Sequence, residues 1–224
     1  MLDWDSVYKQ ESDVIQGPAP WNIGEPQPAL AELIRQGRFR GDVLDAGCGF
    51  AEVSLSLAAE GYTVVGIDIT PTAVATATAV AAERGLSTAT FVHADATSFT
   101  GYDGRFSTVV DSTLFHSLPV ELRDDYLKAV YRAAAPGASY FILAFAKGAF
   151  PAELAAKPNE VTDDELRAAV AKYWIVDDIR PASIHTLLPQ FSSAARPVSF
   201  PPFEIDEKGR PKLAAWLLTA HKPG

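Results

Sequence analysis

Gly47 and Gly49 close a short apolar run, Val43-Leu44-Asp45-Ala46, and Asp68 ends a second one 19 residues after Gly49. Small residues at alternate positions from Leu44 to Ala51 let the backbone approach a ligand closely. A carboxylate at the end of the next strand can accept hydrogen bonds from both hydroxyls of a ribose. The chemistry suggested is the binding of a nucleoside-bearing cofactor. A dinucleotide fingerprint needs a third glycine three residues after the second, and Glu52 stands there. No Tyr-x-x-x-Lys occurs, which counts against a short-chain dehydrogenase. His116, within Asp111-Ser112-Thr113-Leu114-Phe115-His116-Ser117-Leu118, can take an acceptor proton near neutral pH or bond to backbone. His93, His185 and His221 read as structural or solvated, and Cys48 as a small packing residue.

The elements that must position these groups follow a regular rhythm. Short apolar runs at 42–46, 62–68, 90–94, 106–111 and 139–145 read as strands, and helical spacing fills 29–37, 51–60, 71–84 and 121–134. Pro71 suits a first helical turn, and Gly61, Gly85 and Pro136-Gly137 read as breaks. Strands apolar throughout, each followed by a helix, mean a parallel sheet covered on both faces, a doubly wound α/β domain. Beyond Phe145 the rhythm changes. Thr162-Asp163-Asp164-Glu165 is a capping box. Runs at 174–179 and 213–220, joined by a loop containing Pro197, Pro201 and Pro202, suit an antiparallel edge hairpin. The segment 1–28 carries Trp4, Tyr8 and Trp21 among prolines that forbid a long helix.

Composition bounds the rest. With 224 residues, 48% apolar and 21% charged, the chain can bury a full core as one domain. The net charge of −9 makes nucleic acid a poor partner. A single cysteine excludes an internal disulfide framework and a cysteine-rich zinc site. Neither a secretory signal at Met1–Asp5 nor an apolar stretch of about 18 residues is visible, so a cytoplasmic protein without a membrane partner is expected.

The motifs Val43-Leu44-Asp45-Ala46-Gly47-Cys48-Gly49, Gly66-Ile67-Asp68, Ala94-Asp95-Ala96, Val109-Val110-Asp111 and Pro136-Gly137 together resemble the class I S-adenosylmethionine-dependent methyltransferases over about residues 40–146. The resemblance implies a seven-stranded, mostly parallel Rossmann-like sheet with an antiparallel C-terminal hairpin. It also implies a cofactor set that includes Asp45 and Ile69, with Gly47 and Gly49 under the methionine moiety, Asp68 at the ribose, Asp95 and Ala96 at the adenine, and Asp111 and Ser112 near the sulfonium. Ala51 fills the third small position of the glycine turn.

The front end, Trp4-Asp5, Tyr8 and Pro20-Trp21-Asn22-Ile23-Gly24-Glu25-Pro26-Gln27-Pro28, is similar to thiopurine-methyltransferase-like enzymes, and within them to the actinobacterial heterocyclic toxin methyltransferases. That similarity implies that Trp4, Tyr8 and Trp21 fold over the cofactor. It further implies a small aromatic or heteroaromatic acceptor bearing a hydroxyl, N-hydroxyl or thiol, contacted by Trp21, Phe115, His116, Phe145 and Phe150, with His116 and Asp111 as candidate bases.

The expected organisation is one domain: a lid (1–28), a cofactor-binding core (29–146), and a substrate-side insertion with an edge hairpin (147–224), compatible with a monomer. Adenine-N6, arginine and metal-dependent catechol enzymes are disfavoured, because Asp111-Ser112-Thr113-Leu114 and Phe145-Ala146-Lys147 lack their motifs; no metal is expected. A quinone-precursor carbon methyltransferase and a non-catalytic cofactor-binding module are the alternatives.

Overall fold

Residues apolar on both sides of a strand need cover on both faces, and each face here receives alternate side chains of the same strands. The computed structural model describes residues 3–13, 15–152, 154, 157–187, 190–191 and 204–224. The N-terminal segment forms α1 (Trp4–Tyr8) and a two-residue strand β1 (Ile15–Gln16), followed by α2 (Pro28–Arg35). The alternating core comprises β2 (Val43–Ala46), α3 (Glu52–Ala59), β3 (Val64–Asp68), α4 (Pro71–Glu83), β4 (Ala89–His93), β5 (Phe106–Ser112), α5 (Arg123–Ala133) and β6 (Ala134–Phe145). It is followed by α6 (Asp163–Val170), β7 (Ile175–His185), β8 (Gln190–Phe191), β9 (Glu204–Ile205) and β10 (Pro211–His221).

The main sheet runs β4-β3-β2-β5-β6-β10-β7. Its first five strands are parallel, and β10 lies antiparallel between β6 and β7. Val43, Val64, Val110 and Leu143 pack towards α2 and α3, while Leu44, Val65, Val109 and Ile142 pack towards α5 and α6. The doubly wound α/β architecture and the antiparallel hairpin are as the sequence implies.

The strand count is corrected from seven to eight, because Glu204–Ile205 adds a short pairing to the start of β10. Pro136-Gly137 does not delay the last parallel strand either, since β6 already begins at Ala134. Gly137 adopts φ +72, and the pairing with β5 shifts register between Phe106 and Thr108, so a bulge absorbs the proline. The capping box of α6 forms in full. Pro197, Pro201 and Pro202 lie outside the described residues.

Gly66, in the middle of β3, is glycine for lack of space. A Cβ there would lie 2.7 Å from Phe91 Cδ1 and 2.9 Å from Cys48 Sγ. Gly66→Ala is therefore expected to destabilise the fold by about 1–3 kcal/mol through overpacking, read as a lower urea midpoint at unchanged m-value.

Candidate active site

The chain runs outward from β2 through β3 to β4, then returns to β5 on the other side of β2. This reversal opens a crevice beyond the carboxyl ends of β2 and β5, where open α/β sheets bind ligands. One cleft lies there, and its walls include Trp4, Tyr8, Trp21, Asp45, Gly47 and Gly49.

The turn after β2 is built from left-handed backbone. Gly47 and Gly49 have φ +69 and +52, and Ala51, at the start of α3, has φ +67. A Cβ on Gly47 would meet Leu114 at 2.9 Å, and one on Gly49 would meet the Tyr8 hydroxyl at 2.6 Å. Asp68 holds this turn from the neighbouring strand: Oδ2 accepts from Gly49 N at 2.9 Å, and Oδ1 accepts from Thr70 N at 2.9 Å and Thr70 Oγ1 at 2.7 Å. An ionised carboxylate has about four lone-pair sites. With these three donors in place, about one of the four is left open to a further donor.

Asp45 is buried at the end of β2. Ser54 Oγ donates to Oδ2 at 2.6 Å, while Oδ1 is buried and has no partner. Burial first, and the nearby charge of Asp68 second, push its pKa up to about 6. Asp45 borders the cleft, and a buried carboxylate oxygen left unpaired there suits a cationic group.

The turn after β5 is strained. Thr113 is β-branched and adopts φ +78, a conformation that persists only when its surroundings dictate it. Asp111 supplies that dictate. Its Oδ1 accepts from Leu114 N at 2.8 Å and Phe115 N at 3.2 Å, and its Oδ2 accepts from Tyr126 Oη at 2.7 Å. Tyr140 Oη donates in turn to Tyr126 Oη at 3.0 Å. Asp111 is fully buried and absent from the cleft lining, and burial pushes its pKa up to about 7. It sits beneath the floor and shapes the turn, so the expectation that it serves as a base gives way to a positional role.

His116, at the far side of this turn, is 2% exposed and lines the cleft. The amide of Phe145, at the end of β6, donates to Nδ1 at 3.1 Å, and the Phe145 ring lies 4.4 Å away. Burial, and then the positive charge of Arg123, drive the imidazole pKa down to about 3. Of the two readings the sequence left open for His116, proton acceptor or backbone-bonded ring, the structure shows the Nδ1 bond to backbone.

The aromatic front end is brought over the cleft. Trp21 meets Trp4 edge-on at 5.6 Å, and Tyr8 meets Phe50 edge-on at 4.8 Å. Gln27 anchors the segment, its Nε2 donating to His185 O and its Oε1 accepting from His185 N, at 2.9 and 2.8 Å. Glu25 adds ion pairs to Lys208 and Arg210.

Ile69, Asp95, Ala96, Ser112 and Phe145 also line the cleft. Phe115 and Phe150 do not. Phe115 is buried in the core with the Arg123 guanidinium 4.7 Å from its ring centre, and Phe150 packs edge-on against Phe145. Lining residues missed from sequence include Phe50, Thr113, Leu118, Pro119, Leu122 and Pro158. Leu118 and Pro119 were findable as the apolar continuation of the His116 loop, whereas Pro158 arrives from the insertion without a local signal. His93, read as structural, braces the cleft from outside, its Nε2 lying 2.9 Å from the carbonyl oxygen of Ile69.

Comparison with known proteins accords with this geometry. Residues 43–137 match a family model described as a methyltransferase domain. A Mycobacteroides abscessus protein, 2-heptyl-1-hydroxyquinolin-4(1H)-one methyltransferase, is 49% identical over 220 residues, covering 98% of this chain and 96% of that one. The chain is a class I S-adenosylmethionine-dependent methyltransferase.

A solved structure concerned with conversion of a disulfide bond into a thioacetal group during echinomycin biosynthesis superposes on the methyltransferase with a TM-score of 0.83 at 33% identity, covering 98% of this chain and 91% of that one. The Burkholderia thailandensis 1,6-didemethyltoxoflavin N1-methyltransferase, solved with its acceptor and S-adenosylhomocysteine, shares the fold at TM-score 0.62 and 20% identity, covering 88% of this chain and 77% of that one. The residues present fit S-adenosylmethionine. The glycine turn lets Leu114 and the Tyr8 hydroxyl close on the backbone beside the cleft, and the orphaned Asp45 Oδ1 has the chemistry to accept from a cationic donor.

The buried carboxyls make the enzyme's stability depend on pH. Asp45 and Asp111 have folded-state pKa values raised above the unfolded value near 4. The native state thus binds more protons between about pH 4 and 7, and the contribution of these groups falls as pH rises through that window. Asp111→Asn is expected to flatten the decline, measured by urea unfolding from pH 4 to 8.

Proposed function

We propose that this enzyme methylates an oxygen, or a thiol sulfur, of a small heteroaromatic acceptor whose reacting group is acidic, with an N-hydroxylated quinolone-like ring as the leading class. The observation that carries the reading is the acceptor end of the cleft. Leu114, Leu118, Pro119, Leu122 and Phe145 supply flat apolar walls, and His116 is the one titratable side chain among the described lining residues there. The near full-length relative named as a hydroxyquinolone methyltransferase supports the same class.

When bound, S-adenosylmethionine supplies a methyl group on a positively charged sulfur. Gly47 and Gly49 would bring backbone against its methionine portion, Asp45 Oδ1 would take the ammonium group, and Asp68 a ribose hydroxyl. Ile69, Asp95 and Ala96 would face the adenine. Tyr8, Trp21 and Phe50 exclude water, and a dry site favours a transition state in which positive charge is being dispersed. Holding the acceptor oxygen in line is the principal task, worth roughly 7–11 kcal/mol in well-organised cases. The described acceptor-end residues include no proton acceptor effective at neutral pH. Phenols, thiols and N-hydroxyls, which ionise in water, are therefore favoured over aliphatic alcohols and over ring carbons that need a base.

Mass spectrometry after incubation with cofactor and a panel of 1-hydroxyquinolin-4-one, a phenol, an aryl thiol and an aliphatic alcohol tests this. One methyl should be gained by the first, and none by the alcohol. No gain on any aromatic member would sink the proposal. Calorimetry supplies a second check. Affinity for S-adenosylhomocysteine should rise as pH climbs through about 6, where Asp45 ionises, and Asp45→Asn should abolish that rise.

A further inference from the structure

We propose that His116 recognises the acceptor as its anion, donating Nε2–H to the ionised oxygen, so that the site selects the charged form of its substrate. This rests on the heteroaromatic-acceptor reading and adds to it the protonation state in which the acceptor is bound.

A neutral imidazole carries one N–H. Nδ1 accepts the Phe145 amide at 3.1 Å, so the hydrogen must reside on Nε2. That amide belongs to the end of β6, whose register is held by β10 through the Phe145–Ala215 pairing, so sheet backbone fixes the tautomer. The ring cannot swing away easily. Phe145 packs on it at 4.4 Å, and Asn159 N donates to the His116 carbonyl at 2.8 Å. Nε2 has no partner among the described residues, and His116 lines the acceptor end. An unpaired donor that faces a cleft gains a hydrogen bond from a ligand oxygen that reaches it, and a ligand lacking that oxygen does not supply one.

The charge of the preferred partner follows from the neighbours. Arg123, from α5, donates to the carbonyls of Phe115 and Asn159, and its positive charge acts on His116. Asp111, from β5, has its oxygens engaged by Tyr126 and two amides. Asp45 and Asp68 stand at the cofactor end of the cleft. A hydrogen bond to an ionised oxygen is roughly twice as strong as one between neutral groups, so Nε2–H discriminates in favour of the anion. The acceptor's proton goes to water before binding. Its oxygen pair then forms the new O–CH3 bond, the pair of the broken S–CH3 bond remains on sulfur, and no side chain gains or loses a proton.

Absorption titration of 1-hydroxyquinolin-4-one and 4-nitrophenol bound to the S-adenosylhomocysteine complex reads the ionisation directly. The bound probes should titrate about one unit or more below their free pKa, the tenfold preference expected of a charge-assisted bond. In His116→Phe the shift should vanish and anion affinity fall about tenfold, while His116→Gln, which keeps an N–H donor, should recover part of both. An unshifted titration in the wild type, or a shift that survives in His116→Phe, overturns the inference alone. Absence of binding together with absence of methylation overturns the acceptor reading as well. Nitrogen-15 NMR of the wild-type ring requires no variant: a protonated Nδ1 would refute the assignment, and a protonated Nε2 would uphold it.

Discussion

Three neighbouring parallel strands end in buried aspartates, and much of the site follows from the need to satisfy them. A buried carboxylate without donors costs several kcal/mol or becomes protonated. Each of the three meets that constraint differently. Asp68 collects three donors and thereby holds the glycine turn against β3. Asp111 collects two amides and a tyrosine hydroxyl, and its hydrogen bonds bend the chain after β5 through Thr113. Asp45 is left with one oxygen unpaired, and that incompleteness is what suggests a binding role for it.

The strain at Thr113 shows how the floor and the acceptor end are coupled. A left-handed threonine costs on the order of 1–3 kcal/mol, set against the Asp111 bonds and the Tyr126–Tyr140 relay behind them. The bend delivers Leu114 over Gly47 and turns His116 towards β6, where the Phe145 amide selects its tautomer. A polar network beneath the cleft thus shapes residues that line it. Loss of Asp111 would register at the acceptor as misplacement rather than as loss of a proton carrier.

The turn that borders the cleft was legible in the sequence because it is local. Gly47, Gly49 and Asp68 announce themselves by spacing, and strands apolar throughout could only form a sheet covered on both faces. The surroundings of Asp111 and His116 were not legible for a shared reason: residue type indicates what a group can do, while burial and partners decide what it does. An exposed histidine after β5 would be a plausible base. This one is largely buried at the cleft wall near Arg123, with Nδ1 already taken by backbone. Phe115 is a similar case, an aromatic in the right loop whose side chain turns into the core beneath Arg123. The eighth strand escaped notice because two residues carry no period.

The acceptor end, by contrast, is assembled from distant segments. Pro158 comes from the insertion, Phe145 from the end of the sheet, and Trp21 from a segment whose anchor, Gln27, bonds to His185 on β7. The two halves of the cleft therefore answer to different constraints. The cofactor half depends on close backbone approach at a few glycines, where a single Cβ would collide with Leu114 or Tyr8. The other half is lined by apolar side chains from the turn after β5, the insertion and the end of β6. One feature of that half is tied to the sheet itself. The nitrogen of His116 left free to donate is specified by a backbone amide at the end of β6, so the proposed donor character of that ring would be set by the fold.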